Sequence, residues 1–451
     1  MFETLVCSPL ARGLLVAGWL LIAPSLAHAQ PVSPVTPEQP AEPPRPAQPA
    51  EPVSPPAQPA PAGEPPKGDH APVNQAEAPP KRWYENIELS AFIDAYVSLN
   101  TNFPQPEGPT PTGGGNSFRA YDVNNGLSLH WIGADLSYAP EPIGATLGVR
   151  FGPSATIYAA SDAAIHLENI KQAFATLKVK QFTLDFGKFD TFIGAEVADS
   201  QFNMNYTRGV LYWYAQPLFH TGFRVQYDFG ELATLRAIVV NGWNDTLDDN
   251  AGKSGGLQLT IKGKDKITAS LGYIIGPEQA DTAVVSCPAD TAFTGGKCVA
   301  ARGEPGGDFD VAVDGANSRL KHIVDLVVDA KPVEPLRILA NGDFGAEQQP
   351  GGDYALWYGA ALAVGVTPAK ICSLALRGEA YRDAQGYTTG VGTPITFFTG
   401  TLTANLSPVD QLSVFFDARL DGATQSVFQK RIEESAPLQF TTTLGTIVKT
   451  N

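Results

Sequence analysis

The most constraining feature of this sequence is the alternation of apolar and polar side chains in many short segments between residues 82 and 451. In residues 87–99, the odd-numbered positions are Ile, Leu, Ala, Ile, Ala, Val and Leu, whereas the even-numbered positions are Glu, Ser, Phe, Asp, Tyr and Ser. Successive side chains of a β-strand point to opposite faces, so this pattern predicts a strand with one apolar and one polar face. The same alternation occurs in residues 219–229 and 412–420. An all-β fold is therefore expected.

Sixteen candidate strands of this kind follow one another along the chain. They are residues 87–99, 126–138, 143–152, 170–179, 182–188, 219–229, 232–243, 255–263, 266–276, 319–330, 335–346, 354–366, 370–383, 394–406, 410–421 and 437–449. The gaps between them alternate between long or irregular segments and tight turns rich in Pro, Gly, Lys and Asp. Short turns at one end and longer loops at the other are typical of an up-and-down barrel in a membrane. We predict a transmembrane antiparallel β-barrel of about 16 strands.

A barrel of this size encloses a lumen too wide for wall side chains to fill, so an aqueous channel is expected. If the apolar faces contact lipid, the charged residues on the opposite faces line the lumen. The lumen-lining candidates are Asp94, Arg150, Arg224, Asp325, Arg377, Glu379, Asp417 and Arg419. Paired opposite charges of this kind could also be structural cross-strand partners.

The N-terminal region predicts export. Arg12, the apolar run 14–23 and the small residues of Ala27-His28-Ala29 together predict a signal peptide over residues 1–29. Residues 30–80 hold 18 prolines in 51 residues, which predicts a disordered, Pro-rich spacer. Two interpretations stay open for this spacer: an unstructured tail without a partner, or a periplasmic segment that contacts the cell wall. The barrel is assigned to residues 82–451.

Charge and motifs exclude several functions. Acidic residues outnumber basic ones, 46 against 31, so a nucleic-acid partner is not expected. The sequence has no Gly-x-Ser-x-Gly, no His-Glu-x-x-His and no phosphate loop, so neither catalysis nor a cofactor or metal site is expected. An outer-membrane hydrolase that builds its site from strand residues would escape this search. Cys287 and Cys298 lie in the longest predicted loop, and export to an oxidising compartment favours a disulfide between them.

The third long gap, residues 190–218, and its flanks carry the most distinctive motif. It comprises Phe186-Gly187-Lys188-Phe189, Gly194, Glu196, Asn203, Asn205-Tyr206-Thr207-Arg208, Pro217 and His220-Thr221-Gly222. These residues resemble the OmpL-like putative outer-membrane β-barrel porins. The C-terminus departs from this pattern: such barrels usually end in an aromatic residue that the assembly machinery reads, whereas this chain ends in Thr450-Asn451.

The resemblance implies an outer-membrane channel for passive diffusion of small hydrophilic solutes or ions. It also implies that the third loop folds into the lumen and narrows it. The constriction candidates are then Glu196, Asp199, Asn203, Asn205 and Arg208. Alternatively, Asn203, Asn205 and Arg208 only satisfy the backbone of their own loop. The expected partners are outer-membrane lipid, the solutes and a second copy of the chain in a homo-oligomer. The other functional interpretation is a surface adhesin or structural barrel without channel activity.

Overall fold

The computed structural model describes residues 83–105, 115–294, 297–431 and 434–450. The predicted signal peptide and Pro-rich spacer lie outside these described residues. The described strands are, in chain order, β1 Ile87–Asn100, β2 Gly126–Tyr138, β3 Ile143–Phe151, β4 Ile170–Val179, β5 Phe182–Asp190, β6 Phe219–Asp228, β7 Ala233–Val240, β8 Ser254–Gly263, β9 Ile267–Pro277, β10 Thr282–Cys287, β11 Thr291–Thr294, β12 Lys297–Ala300, β13 Gly307–Ala312, β14 Leu320–Ala330, β15 Leu336–Gln348, β16 Tyr354–Ala369, β17 Cys372–Asp383, β18 Ile395–Val409, β19 Leu412–Ala423, β20 Phe428–Lys430, β21 Glu434–Ala436 and β22 Leu438–Lys449.

Sixteen of these strands form one closed antiparallel barrel, in the order β1 to β9, β14 to β19 and β22. The prediction of sixteen barrel strands is confirmed. Each strand pairs with its sequence neighbour in the barrel, and β22 closes the ring against β1, with Asp94 opposite Ile447. Closure leaves no barrel strand with an unpaired edge, which is what a sheet needs in a hydrocarbon environment.

The two faces of the barrel wall differ as the alternation predicts. On β1, Leu89 and Ile93 are 68% and 50% exposed, whereas Asp94 and Ser98 are fully buried. The apolar residues therefore form the outer surface, and the polar residues face the interior. This is the inverse of a soluble protein, in which the apolar face is the buried one.

The connections at one end of the barrel are tight turns. Lys180, Gly230 and Lys264 each have a positive φ, of 54°, 67° and 54°. A left-handed residue in a very short hairpin loop matches the right-handed twist of the strands it joins. The connections at the other end are longer, as predicted, apart from residues 349–353 between β15 and β16. We call these two ends the turn end and the loop end.

Most of the remaining secondary structure lies in the long loops, whereas the 3-10 turn Trp83–Asn86 directly precedes β1. The helices are α1 (Pro153–Tyr158) and α2 (Val210–Tyr214), and the 3-10 turns are Trp83–Asn86, Ala160–Ile165, Ser200–Phe202 and Ala316–Ser318. No helix of the described residues has the length and apolar character needed to cross a membrane. In the longest loop, β10 pairs with β13 and β11 pairs with β12. A disulfide between Cys287 and Cys298 links this loop internally, with their Cα atoms 5.4 Å apart.

Candidate functional site: loop 3 and the inner wall

We define loop 3 as residues 191–218, between β5 and β6. Its first part packs on the inner wall of β7 to β9 and β14. Ile193 is buried in a cluster with Ile238, Ile274 and Ile323. Two hydrogen bonds add to this contact. Gln258 Nε2 of β8 donates one of 2.6 Å to the carbonyl of Phe192, and Asn341 Oδ1 of β15 accepts one of 3.3 Å from the N–H of Ala195. The start of loop 3 is thus fixed to the inner wall.

The second part of loop 3 contacts inner-wall residues of β1, β18 and β19. Tyr206 donates its hydroxyl to Asp94 Oδ1 at 2.7 Å. Thr207 donates both its backbone N–H and its hydroxyl to Asp417 Oδ2, at 2.8 and 2.9 Å. Asn205 Nδ2 lies 2.6 Å from Thr403 Oγ1. These carboxylates bind loop hydroxyl and N–H groups, and so they hold the loop.

Asp199 links loop 3 electrostatically to two cations of the wall. Its two oxygens accept hydrogen bonds of 3.0 and 2.9 Å from Arg150 of β3, and Lys171 Nζ of β4 lies 3.5 Å away. The side chains of Arg150 and Asp199 are 3% and 5% exposed. Burial by itself would raise the pKa of Asp199, but Lys171 and Arg150 outweigh it and lower the pKa to about 2. The ion pair is therefore charged throughout the neutral and mildly acidic range.

Arg208 is also buried, with 2% of its surface exposed. Its guanidinium donates to the carbonyl of Tyr206 and to Ser200 Oγ, and it contacts His130 Nε2 at 3.1 Å. Its own carbonyl accepts a hydrogen bond from Arg419 of β19. Arg208 thus serves the backbone and neighbours of its own loop, which agrees with the structural alternative for this residue.

Glu196 occupies a different environment, beside a cavity of about 40 Å³ between loop 3 and the wall of β15 to β17. It pairs with Arg377 Nη1 at 2.5 Å and accepts the N–H of Gly209 at 2.8 Å. Burial raises the pKa of Glu196, although Arg377 opposes this effect. Asn203 and Asn205 line the same cavity. Three of the five constriction candidates therefore meet at one space, whereas Asp199 and Arg208 lie away from it.

The side chain of Asn203 has a further structural role. Its Nδ2 donates to the carbonyl of Val197 at 2.7 Å, and its Oδ1 accepts the N–H of the same residue at 2.9 Å. An amide that satisfies both backbone groups of one residue fixes the loop conformation locally. For Asn203, the structural role predicted from sequence coexists with a position beside the cavity.

Most lumen-lining candidates are covered by loop 3. Those that contact it directly are Asp94, Arg150, Arg377, Glu379, Asp417 and Arg419. Asp325 is joined to the loop through Asn341, whose Nδ2 donates to Asp325 Oδ1 at 2.7 Å. Arg224 instead pairs with Asp185 at 2.8 Å and keeps 21% of its side chain exposed. These residues interact mainly with a folded loop rather than with an open lumen.

Residues 115–125, before β2, and the loop between β3 and β4 also contribute to the interior, which the sequence patterns did not predict. Arg119 is fully buried and pairs with Asp421 of β19 at 2.7 Å. The hydroxyls of Tyr121 and Tyr212 are 2.7 Å apart. These tyrosines belong to an aromatic cluster that also includes Trp131 of the wall and Tyr158 of α1. Pairing between distant loops depends on tertiary structure, so local patterns could not reveal it.

Glycines of the inner wall make room for loop 3, and this is a signal that the sequence did contain. A Cβ atom on Gly445 would lie 2.2 Å from the ring of Tyr206, and one on Gly359 would lie 2.7 Å from Leu211. By contrast, a Cβ on the outward-facing Gly400 would meet nothing within 4 Å. Glycines at inward positions of otherwise regular strands mark places where another part of the chain approaches closely.

No group of three or more His, Cys, Asp or Glu side chains suited to a metal ion occurs in the part of the chain that the structure describes. The contacts between loop 3 and the wall described above are hydrogen bonds, ion pairs and aromatic packing.

A family model agrees with this architecture. The model described as "Putative beta-barrel porin-2, OmpL-like" matches residues 86–449, from the start of β1 to the end of β22. The chain belongs to this family. The resemblance inferred from the motif around loop 3 is thereby confirmed, and membership in a family of outer-membrane porins assigns the barrel to the outer membrane.

Two solved structures illustrate the likeness of this porin-family chain to other proteins. OmpT of Vibrio cholerae has 9% identity and a TM-score of 0.50, with 81% of this chain and 97% of that chain covered. An anion-selective porin from Comamonas acidovorans has 9% identity and a TM-score of 0.49, with 81% and 99% covered. At such identities the likeness concerns the fold alone. A search of curated proteins finds no match for the sequence.

Proposed function

We propose that this porin-family chain is an outer-membrane channel for passive diffusion of small hydrophilic solutes or ions, with loop 3 inside the lumen. The supporting observation is the set of wall strands that loop 3 contacts. It bonds to Asn341 of β15, to Thr403 of β18 and to Asp94 of β1, which are spread around the closed ring. One loop reaches the inner faces of all these strands only by crossing the interior.

The proposed orientation follows from the barrel ends. In outer-membrane barrels the short turns are periplasmic and the longer loops are extracellular. Strand β1 begins at the turn end, because Ile87 lies opposite Tyr138, the last residue before the turn to β3. A segment that precedes β1 would therefore enter the periplasm, as the predicted spacer requires. Its contact with the cell wall and the assembly of a homo-oligomer stay predictions.

The narrowest part of the passage is proposed to lie at the cavity between loop 3 and β15 to β17. Glu196, Asn203 and Asn205 contribute loop side chains, and Arg377 and Glu379 contribute wall side chains. A space of about 40 Å³ holds a few water molecules at most. Two carboxylates, of Glu196 and Glu379, and two guanidiniums, of Arg337 and Arg377, line this space, so charge and hydrogen bonding at this point would sort the solutes. Asp199 and Arg208 are proposed to anchor the loop instead.

Planar-bilayer recording tests this proposal. Replacing Glu196 by Ala removes one carboxylate from the passage, so we expect the reversal potential in a salt gradient to move toward anion preference. The control is Glu434→Ala, which removes an acid from a small hairpin, where it is 54% exposed and pairs with Lys430 at 3.4 Å. Equal reversal potentials for the two variants would remove Glu196 from the passage. Absence of channels from correctly folded protein would refute the function and leave the fold intact.

One observation favours a second candidate, a barrel that is closed at rest. Aromatic side chains from three loops and the wall form buried clusters in the interior, including Tyr206, Tyr212 and Trp131 in one and Phe118 and Trp357 in another. Packing of this kind excludes water from much of the lumen. If the wild-type protein is silent in bilayers and a variant that lacks residues 197–208 conducts, the closed barrel is the better description.

A further inference from the structure

The inner wall carries one pair of buried carboxylates that no cation neutralises among the described residues. Asp325 of β14 lies directly opposite Asp343 of β15 in the antiparallel register. Their side chains share the inner face, since Asp325 is completely buried and Asp343 is 5% exposed. Like charges at directly opposite positions repel each other. The wall therefore places two acids where their charges cannot be spread into water.

The surroundings offer little compensation. The next residues of the same cross-strand row are Gly272 on one side and Gly359 on the other, which have no side chains. The space above these glycines is occupied by the apolar side chains of Ile193 and Leu211 from loop 3. The pair is thus covered by hydrocarbon, in which an unpaired ionised group costs several kcal/mol.

Hydrogen bonds satisfy only part of the pair. Asn341 Nδ2 donates to Asp325 Oδ1 at 2.7 Å. Asp325 Oδ2 and both oxygens of Asp343 have no hydrogen-bond partner among the described residues. The donors near the pair are the backbone N–H of Gly194 and the amide of Asn341, so the carboxylate oxygens outnumber the donors that can reach them. In other buried acids of this barrel, such as Asp417, the oxygens accept hydrogen bonds from loop and wall hydroxyls.

We propose that Asp325 and Asp343 bind a hard divalent cation of the Ca²⁺ or Mg²⁺ class. Such ions prefer carboxylate oxygens, and one of them neutralises both charges at once. A shared proton would join only two of the three free oxygens and would leave one negative charge uncompensated. Ca²⁺ accepts more protein oxygens and a less regular geometry than Mg²⁺, so Ca²⁺ is the better probe.

Cation binding at this pair would also stabilise the start of loop 3. Asn341 bonds to Asp325 through its Nδ2 and accepts the N–H of Ala195 through its Oδ1, so it bridges the acid pair and the loop. Ile193 and Leu211 close over the pair from two separate parts of loop 3. Neutralising the carboxylates removes the repulsion beneath these contacts. The proposal therefore predicts that Ca²⁺ protects loop 3.

The test measures binding and does not depend on channel activity. Full-length protein refolded in detergent without lipopolysaccharide is treated with a chelator and dialysed against radioactive Ca²⁺. We expect saturable binding of one Ca²⁺ per chain, weakened by at least about tenfold in Asp343→Asn and in Asp325→Asn. The matched control is Asp329→Asn on the same strand and face, since Asp329 already pairs with Arg337 at 2.8 Å. The control should bind Ca²⁺ like the wild type.

A second measurement guards against variants that fold poorly. Asp325→Asn and Asp343→Asn each remove one of two repelling charges, so the melting temperature without Ca²⁺ should rise in both variants. The increase in melting temperature on adding Ca²⁺ should disappear in both. Equal Ca²⁺ binding by all four proteins would place the ion on the acidic rim and overturn the proposal. If no Ca²⁺ binds and an infrared band of a protonated carboxyl group disappears in Asp343→Asn, the pair shares a proton. This result would also overturn the proposal. Neither result depends on whether the barrel conducts.

Discussion

Replacing Asp199 by Asn removes the carboxylate that joins loop 3 to two cations of the barrel wall. Arg150 and Lys171 keep other partners, Asp135 at 3.0 Å and Asp190. They nevertheless lose the acid that lies between them and the loop. We expect loop 3 to separate from the wall more often while the barrel itself stays folded, because the strand pairing is unchanged.

The magnitude follows from the pKa of Asp199. A pKa of about 2, against 3.8 for an ordinary aspartate, corresponds to about 2 kcal/mol in favour of the charged, bound state. Deleting one member of a buried ion pair typically costs about 3 kcal/mol or more, because the other member is left without its counter-charge. We therefore expect a loss of about 2 to 3 kcal/mol in the stability of the loop contact.

Hydrogen exchange measures this opening locally. If the loop opens and closes rapidly, a loss of about 2 to 3 kcal/mol makes the amides of residues 199–208 exchange about 30 to 150 times faster. The matched control is Asp135→Asn, which removes the other carboxylate of Arg150. Its side chain is 32% exposed and belongs to the wall, so a change of no more than about fivefold is expected. Equal exchange rates in the two variants would refute the anchoring role of Asp199.

The pH dependence provides an independent check of the same contact. The pKa of Asp199 is lower in the folded state than in the unfolded chain, so its stabilisation is complete above about pH 4 and is lost as the pH falls toward 2. Exchange in loop 3 should therefore stay slow at pH 4, after correction for the intrinsic rate, and rise below it. In Asp199→Asn this acid-dependent increase should be missing.

Two further predictions concern the wall glycines and the loop end. Gly445→Ala should displace the ring of Tyr206, lower the stability by about 1 to 3 kcal/mol and change the conductance. Gly400→Ala should leave both stability and conductance unchanged. Equal conductances of the two variants in bilayer recordings would contradict this prediction. Burial and neighbouring carboxylates raise the pKa of Asp245 to about 7, so this residue destabilises the folded protein as the pH rises from about 4 to about 7. Asp245→Asn should therefore raise the melting temperature at pH 8 and leave it nearly unchanged at pH 4; an equal shift at both values would contradict the assignment.

The sequence by itself determined the barrel. Successive side chains of a strand point to opposite faces whatever strands it pairs with. The residue types in 87–99 therefore indicate one apolar and one polar face without knowledge of the neighbouring strands. The alternation of long and short gaps then required antiparallel neighbours joined at two different ends. Both properties are local, because they depend on residues within one strand or one turn, and the sixteen strands of the structure agree with them.

Only the tertiary structure decided which polar residues meet. Asp199 bonds to Arg150, which is 49 residues away in the sequence, and Tyr206 bonds to Asp94, which is 112 residues away. The predicted constriction residues therefore divide into two groups: Glu196, Asn203 and Asn205 line a cavity, whereas Asp199 and Arg208 are held in buried contacts away from it. The opposition of Asp325 and Asp343 likewise depends on the register of two strands, and a shift of one residue would place one of the two on the lipid face. Periodicity specifies the face of each side chain, whereas register and loop packing specify its neighbours.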